Sequence, residues 1–309
     1  MRKHNLLLLL VCLFIISCTQ DNDETPVLLN PDGDPPCIAD EFGNCLDIII
    51  DPPGGGGGPG SLFKMYMKGL NPGNGLLHQA GSTNGTSWVS QGTPGSTENA
   101  PSAVYFNDEI LVYRADRNNF LQPHPIPVMR VYVSDDDGAN WTLQDLTGTQ
   151  IDTWAASSAV EFNNEVYMAV TNGETGVNSG VIEVYKSADG LTNWTLHSTP
   201  VPGIQNQLNG APYLTVHNGN LHVFYVSFDN KAYYRRLVGS TWQTDVEVTG
   251  HQGGSEIAAS GGITAVSFNN QLWAVYKTTS NSMIAVNTAG IGPHTGYNVA
   301  SRVQTRDLP

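Results

Sequence analysis

From residue 61 onward the chain alternates. Short runs rich in Val, Tyr, Phe, Ile and Thr are cut by clusters of Gly, Asn, Asp and Pro. No stretch of useful length keeps a helical period, so the pattern predicts an all-β fold of short strands. Four segments repeat one plan: "SAVYFNDEILVYRA" at 102–115, "SAVEFNNEVYMAVT" at 158–171, "PYLTVHNGNLHVFYV" at 212–226 and "TAVSFNNQLWAVYK" at 264–277. Each reads as strand, two-residue turn, strand. The turns fall at Asn107-Asp108, Asn163-Asn164, Asn218-Gly219 and Asn269-Asn270, spaced by 56, 55 and 51 residues. Asn, Asp and Gly tolerate the positive φ that a tight hairpin needs.

A second marker keeps the same beat. Trp88, Trp141, Trp194 and Trp242 follow polar turns and stand 53, 53 and 48 residues apart, and Tyr297 fills a fifth position 55 further on. Five markers imply five units of roughly fifty residues and four strands each, the size of propeller blades. The expectation is an all-β, five-bladed β-propeller over 61–309. Its first unit is short: no innermost strand precedes "LFKMYMKG". The terminal "ASRVQTRDLP" either completes the last blade or lends that missing strand.

The start of the chain is different. "MRKH" followed by the apolar "LLLLLVCLFII" and Ser17 reads as a signal peptide over 1–17, too short to span a bilayer comfortably. Residues 18–60, rich in Asp, Pro and Gly and ending in "DPPGGGGGPG", read as a flexible tether, in which "LDIII" at 46–50 is expected as a lone strand. Two cations leave with the signal and no acid does, so the net charge moves from −14 to −16. Such a chain repels phosphate backbones, which excludes nucleic acid as an expected partner. Cys37 and Cys45, in "CIADEFGNC", are expected to pair as a local disulfide in an oxidising compartment, no histidine or second cysteine pair standing near to suggest a metal. The eight histidines are scattered without ligand spacing and no nucleotide-binding glycine motif occurs, so no metal and no cofactor are expected.

"IISC" resembles the lipobox of bacterial lipoproteins, which implies lipidation of Cys18 and a membrane attachment through that lipid alone. The following "TQDNDE" resembles the acidic tag with which some Gram-negative bacteria send lipoproteins to the outer face of the cell, implying an outer-membrane, surface-exposed location. Ser134, Asp136, Gly138 and Trp141 resemble the Asp-box (BNR) repeat, S-x-D-x-G-x-x-W, of sialidase-like propellers, and Ser187, Asp189 and Trp194 keep three of its four positions, with the glycine displaced to Gly190. Asp and Ser can bond backbone N–H groups across their own turn, Gly takes the strained φ, and Trp buries a large face, so a structural role is expected for the turn. The wider repeat is also similar to fucose-binding propeller lectins.

In such propellers ligands meet the loops that enter each blade and those that join its second and third strands. On this chain those loops carry Glu98, Asp116, Arg117, Asp152, Trp154, Glu174, Asp229, His251 and Glu256. Trp154 stands outside the regular beat, in a loop where aromatics stack on sugar faces. No single blade stands out as specialised, so a lectin-like module with several sugar sites is the leading reading. A glycoside hydrolase of sialidase or arabinanase type is the alternative, with carboxylates among Asp116, Asp152, Glu174 and Glu256. The sialidase form lacks its three-arginine clamp, only Arg117 falling clearly on the expected face, and the chain is one blade short of six. A scaffold for another surface protein is the third reading.

The anchor is directly testable. Cys18→Ser should abolish incorporation of a labelled fatty acid and release the protein from the membrane fraction; undiminished labelling would contradict the assignment.

Overall fold

The computed structural model describes residues 48–50, 63–68, 75–83, 88–116, 127–153, 155–172, 180–201, 210–227, 229–248, 259–268, 270–278, 283–288 and 296–298. They form five antiparallel sheets, each from one contiguous stretch of chain. Blade 1 holds β1 (Ile48–Ile50), β2 (Phe63–Lys68), β3 (Leu76–Ser82) and β4 (Val89–Ser96). Blade 2 holds β5 (Ser102–Phe106), β6 (Glu109–Asp116), β7 (Val128–Ser134) and β8 (Thr142–Asp145). Blade 3 holds β9 (Ser158–Phe162), β10 (Glu165–Thr171), β11 (Ile182–Ser187) and β12 (Thr195–Val201). Blade 4 holds β13 (Tyr213–His217), β14 (Asn220–Val226) and β15 (Ala232–Val238), flanked by the short β16 (Thr241–Trp242) and β17 (Val246–Glu247). Blade 5 holds β18 (Ala259–Phe268), β19 (Gln271–Thr278), β20 (Met283–Asn287) and β21 (Gly296–Asn298). Successive first strands lie side by side, β1 by β5, β5 by β9, β9 by β13 and β13 by β18. The fold is a five-bladed β-propeller.

Two sequence expectations change. Ile48–Ile50 is not a lone strand of the tether: it pairs with Phe63–Met65 and takes the innermost place of blade 1. β21, which contains Tyr297, is the outer strand of blade 5, and the terminal residues 300–309 lie outside the described residues. Cys18, Cys37 and Cys45 lie outside the described residues.

The hairpin turns obey their chemistry. Asn107 and Asp108 have φ of 51° and 62°, Asn163 and Asn164 have 53° and 60°, and Asn218 and Gly219 have 49° and 68°. Two successive positive φ values match the right-handed twist of the strands they join. The second strands are rich in apolar residues on both faces because both faces are covered. In blade 2, Ile110 and Val112 pack toward Tyr66 and Leu77 of blade 1, whereas Leu111, Tyr113 and Ala115 pack toward Val166, Met168 and Val170 of blade 3. The core is thus a series of seams between blades, continued by Tyr167 and Ala169 against Leu221 and Val223, and by Phe224 and Val226 against Ile263 and Ala274.

The acidic turns of blades 2 and 3 close these seams. Ser134 Oγ donates to Asp136 (2.8 Å) and accepts from the Gly138 amide (2.8 Å), while Asp136 accepts from the Asn140 amide (2.8 Å). The turn is tied to blade 1: Trp141 meets Tyr66 edge-on at 5.6 Å, its Nε1 donates to Gln79 (3.1 Å), and Asp137 pairs with the buried Lys64 (2.6 Å). In blade 3, Trp194 is fully buried, meets Tyr113 of blade 2 edge-on at 5.8 Å, and Tyr113 donates its hydroxyl proton to the Gly190 carbonyl (2.8 Å). A side chain at Gly138 (φ +80°) or Gly190 (φ +73°) would be strained by the positive φ and would displace Gln79, 2.4 Å from the Cβ position, or Leu111, 2.6 Å from it.

Partial burial works to raise the Asp189 carboxyl, but bonds from the Thr192 hydroxyl, the Thr192 and Leu191 amides and Ser187 outweigh it and bring it to about 2. A folded-state value below the unfolded one gives stability that is present above about pH 4 and lost as pH falls through 2. Asp189→Ala should therefore cost about 1 kcal/mol in urea unfolding at neutral pH, solvent screening of the partly exposed carboxylate reducing the effect. The gap from the parent should shrink toward zero near pH 2; a gap independent of pH contradicts this account.

Candidate ligand site between the first two blades

Strand direction divides the polar residues between two ends. The Asn-rich hairpins and the turns at Ser134 and Ser187 share one end of each blade, and the β6–β7 and β8–β9 connections share the other. At that second end the blades are not alike. Seven residues after the first hairpin residue stand Arg114, Val170, Tyr225 and Tyr276, all buried against a neighbouring blade. Blade 2 alone of these four puts a charge there, on a residue only 4 % exposed.

Arg114 is held by specific partners. Its Nη1 donates to the Ser96 carbonyl and hydroxyl (3.1 Å to Oγ), its Nη2 pairs closely with Asp116, and its guanidinium lies 5.3 Å from the centre of the Tyr132 ring. The enclosed Nε meets no acceptor. Across the sheet, Arg130 is the register partner of both Arg114 and Asp145. Arg130 reaches Asp116 (3.2 Å) and Asp145 (2.6 Å). Burial works against its charge, and the bonds to Asp116 and Asp145 more than offset this. Two guanidiniums thus share one carboxylate and hold a second, an arrangement whose planar forks fix the direction of every bond.

Blade 1 forms the opposite wall. Thr97 donates its amide to Gly75 (2.7 Å) and its hydroxyl to the Asn99 carbonyl (2.7 Å). The Glu98 amide donates to the Ala115 carbonyl (3.0 Å), and Lys68 donates to the Glu98 carbonyl (2.8 Å). Gly95 permits the close approach, because a Cβ there would stand 1.7 Å from the Tyr132 hydroxyl.

Of the residues expected on the ligand face, the structure brings three to blade 2. Glu98, through its backbone, and Asp116 join the seam just described. Asp152 bridges Val128, which also pairs with Asp116, so the two acids share one rung of the sheet, with Gln150 donating to Asp152 (2.7 Å). Asp229 stands apart in blade 4, accepting from the Lys231 amide (3.1 Å) and the Tyr233 hydroxyl (3.0 Å). Arg117, Trp154, Glu174, His251 and Glu256 lie outside the described residues. Arg114, Arg130 and Asp145 were not foreseen, nor was the reading that one blade is specialised. Alignment of the four hairpins carries the missing signal, an arginine where the others have Val or Tyr. A smaller polar group occupies the seam of blades 3 and 4, where Arg235 Nη2 donates to Asp245 (2.7 Å) beside the stacked rings of Tyr225 and Tyr233.

The seam between blades 1 and 2 holds fixed donors and acceptors in near balance. Each arginine already faces a carboxylate, so it presents little net positive charge to an anion. Among the described residues, no group of three or more His, Cys, Asp or Glu side chains is gathered around a metal position.

No protein-family model matches the chain, and no curated protein matches it. Solved structures do. A protein of unknown function from Dyadobacter fermentans is 16% identical with a TM-score of 0.55, over 77% of this chain and 79% of that one. The α-L-arabinanase of Penicillium chrysogenum, complexed with arabinobiose, is 14% identical with a TM-score of 0.58, over 76% of each chain. The Aleuria aurantia lectin, in complex with Fucα1-6GlcNAc, is 13% identical with a TM-score of 0.54, over 76% of this chain and 73% of that one. At these identities the likeness is one of fold.

Gly95→Ala should force Tyr132 out of its place and lower stability by about 1–3 kcal/mol. Unchanged urea unfolding would show that blades 1 and 2 do not meet this closely.

Proposed function

We propose that this protein is a carbohydrate-binding propeller of the cell surface, and that its principal site is the cleft between blades 1 and 2. One observation carries the reading: blade 2 replaces an uncharged seam residue with the buried Arg114 and gathers Asp116, Arg130 and Asp145 beside it. A purely structural seam has no need of a charge there, since the uncharged Val170, Tyr225 and Tyr276 fill the same place in blades 3, 4 and 5. Neutral sugars present many hydroxyls and no charge, and a charge-balanced set of directed donors and acceptors suits them. Two structures of similar fold, an arabinanase with arabinobiose and a lectin with Fucα1-6GlcNAc, hold sugars and support the class of ligand. Lipidation at Cys18 and export to the outer membrane belong to the same proposal, as does docking of a surface protein on the remaining loops.

A hydrolase is the second reading, favoured by one geometric fact. Asp116 and Asp152 flank Val128 on a single rung. Two strand spacings place their Cα atoms about 9.6 Å apart, a span from which side chains leaning together would bring the carboxyls within the separation of inverting glycosidases.

A glycan array followed by calorimetry on the purified protein separates the readings. The binding account expects Arg114→Met and Asp116→Asn to weaken the best array ligand by about 10–100-fold, the worth of one or two bonds to a charged group. Silence across neutral glycans, or undiminished affinity in both variants, contradicts it. Turnover of the bound glycan that disappears in Asp152→Asn would establish the hydrolase instead.

A further inference from the structure

The seam between blades 4 and 5 is built unlike the others. At its hairpin end, His217 closes β13 and His222 stands on β14, with ring centres 6.0 Å apart. Both are buried, at 7% and 4% exposure. His217 Nδ1 lies 2.8 Å from Ser267 Oγ on β18, a bond from one blade to the next. The Asn218 amide donates to His217 Nε2 (3.0 Å), so the neutral ring carries its proton on Nδ1 and donates to Ser267. His222 directs Nδ1 at the Asn220 carbonyl (3.1 Å), which fixes the same tautomer. Its ring is 5.9 Å from Tyr234, and its register partner on β15 is Arg236.

The surroundings of the pair are one-sided. β15 contributes Tyr234 and Arg236, the turn contributes Asn218 and Asn220, and β18 contributes Ser267. None of β13, β14, β15, β18 or β19 contains an Asp or a Glu. The one cation of β19, Lys277, stands at the far end of that strand. A second proton on His217 would turn Nε2 from acceptor to donor, facing the Asn218 amide. A second proton on His222 would place its charge beside Arg236 and 6.0 Å from the other ring. No carboxylate on these strands would balance either charge.

We propose that His217 and His222 form an acid-sensitive latch between blades 4 and 5: neutral, they hold the seam closed through Ser267, and charged, they release it. Burial lowers His217, and burial, aided by His217 and Arg236, brings His222 down to about 4 against the opposing bond to Asn220. The sign follows from linkage. A histidine lowered in the folded state gives stability that is complete above its unfolded value near 6.5 and is lost as pH falls toward 4. Asp189 gives way only nearer 2, so the latch opens first, while the turns that close the seams of blades 1 to 3 still hold. The inference does not rest on carbohydrate binding.

Hydrogen exchange on the whole protein, corrected for intrinsic rates, tests it. Between about pH 7.5 and pH 5, His222 alone should raise the opening equilibrium on the order of 30-fold. The expected result is faster exchange confined to β13, β14 and β18, with β6 and β7 unchanged. Asn should keep the size of His217 and Leu should keep the apolar contacts of His222, so His217→Asn with His222→Leu should fold and lose the step. Unchanged exchange in the parent protein, equal acceleration in every blade, or a step that survives in the double variant would each overturn the proposal. The parent measurement decides even where the variant fails to fold.

Discussion

The structure depends on one repeated contact, the edge-on meeting of a tryptophan from one blade with a tyrosine on the second strand of the blade before it. Tyr66 with Trp141 and Tyr113 with Trp194 occur at 5.6 and 5.8 Å. A single four-stranded sheet cannot bury its own faces, and a second strand covered on both sides is stable only if neighbours arrive in register. The aromatic pair sets that register, and the serine–aspartate turn holds the tryptophan at the required angle. Gly138 and Gly190 suit the turn because each takes a positive φ where it meets the neighbouring blade.

Fixed seams make a departure from the pattern informative. Where Val170 and the rings of Tyr225 and Tyr276 fill the seam without a charge, Arg114 fills it with a guanidinium that must find Ser96, Asp116 and the face of Tyr132 to be tolerated. An ion pair enclosed in this way is weak evidence for stability, because an apolar residue of similar volume often does as well or better. It does fix the direction in which Asp116, Arg130 and Asp145 point, which is what recognition of a ligand with many hydroxyls requires. The same reasoning applies at the opposite end of blade 4, where two buried histidines replace apolar groups and make that seam responsive to acid.

Much of this was legible in the sequence. The spacing of the Asn-rich turns and of the tryptophans gives the blade count, since positive φ and a recurring large aromatic are local demands that a chain must meet at fixed positions. The place of Ile48–Ile50 was not legible, because a three-residue strand twelve residues from its partner leaves no periodic signal. The cleft was half legible. Loop acids such as Glu98 and Asp116 could be assigned to an end of the blade from topology alone. Arg114 and Arg130 lie within strands, and only cross-strand register shows that they reach the same place.

Site-resolved hydrogen exchange with the tightest oligosaccharide from the array tests the central claim most directly. The account predicts slower exchange at residues 96–99, 114–116 and 128–130, with the seams of blades 3 to 5 unaffected. Protection centred on another seam, with residues 96–99 and 114–116 unchanged, would contradict it.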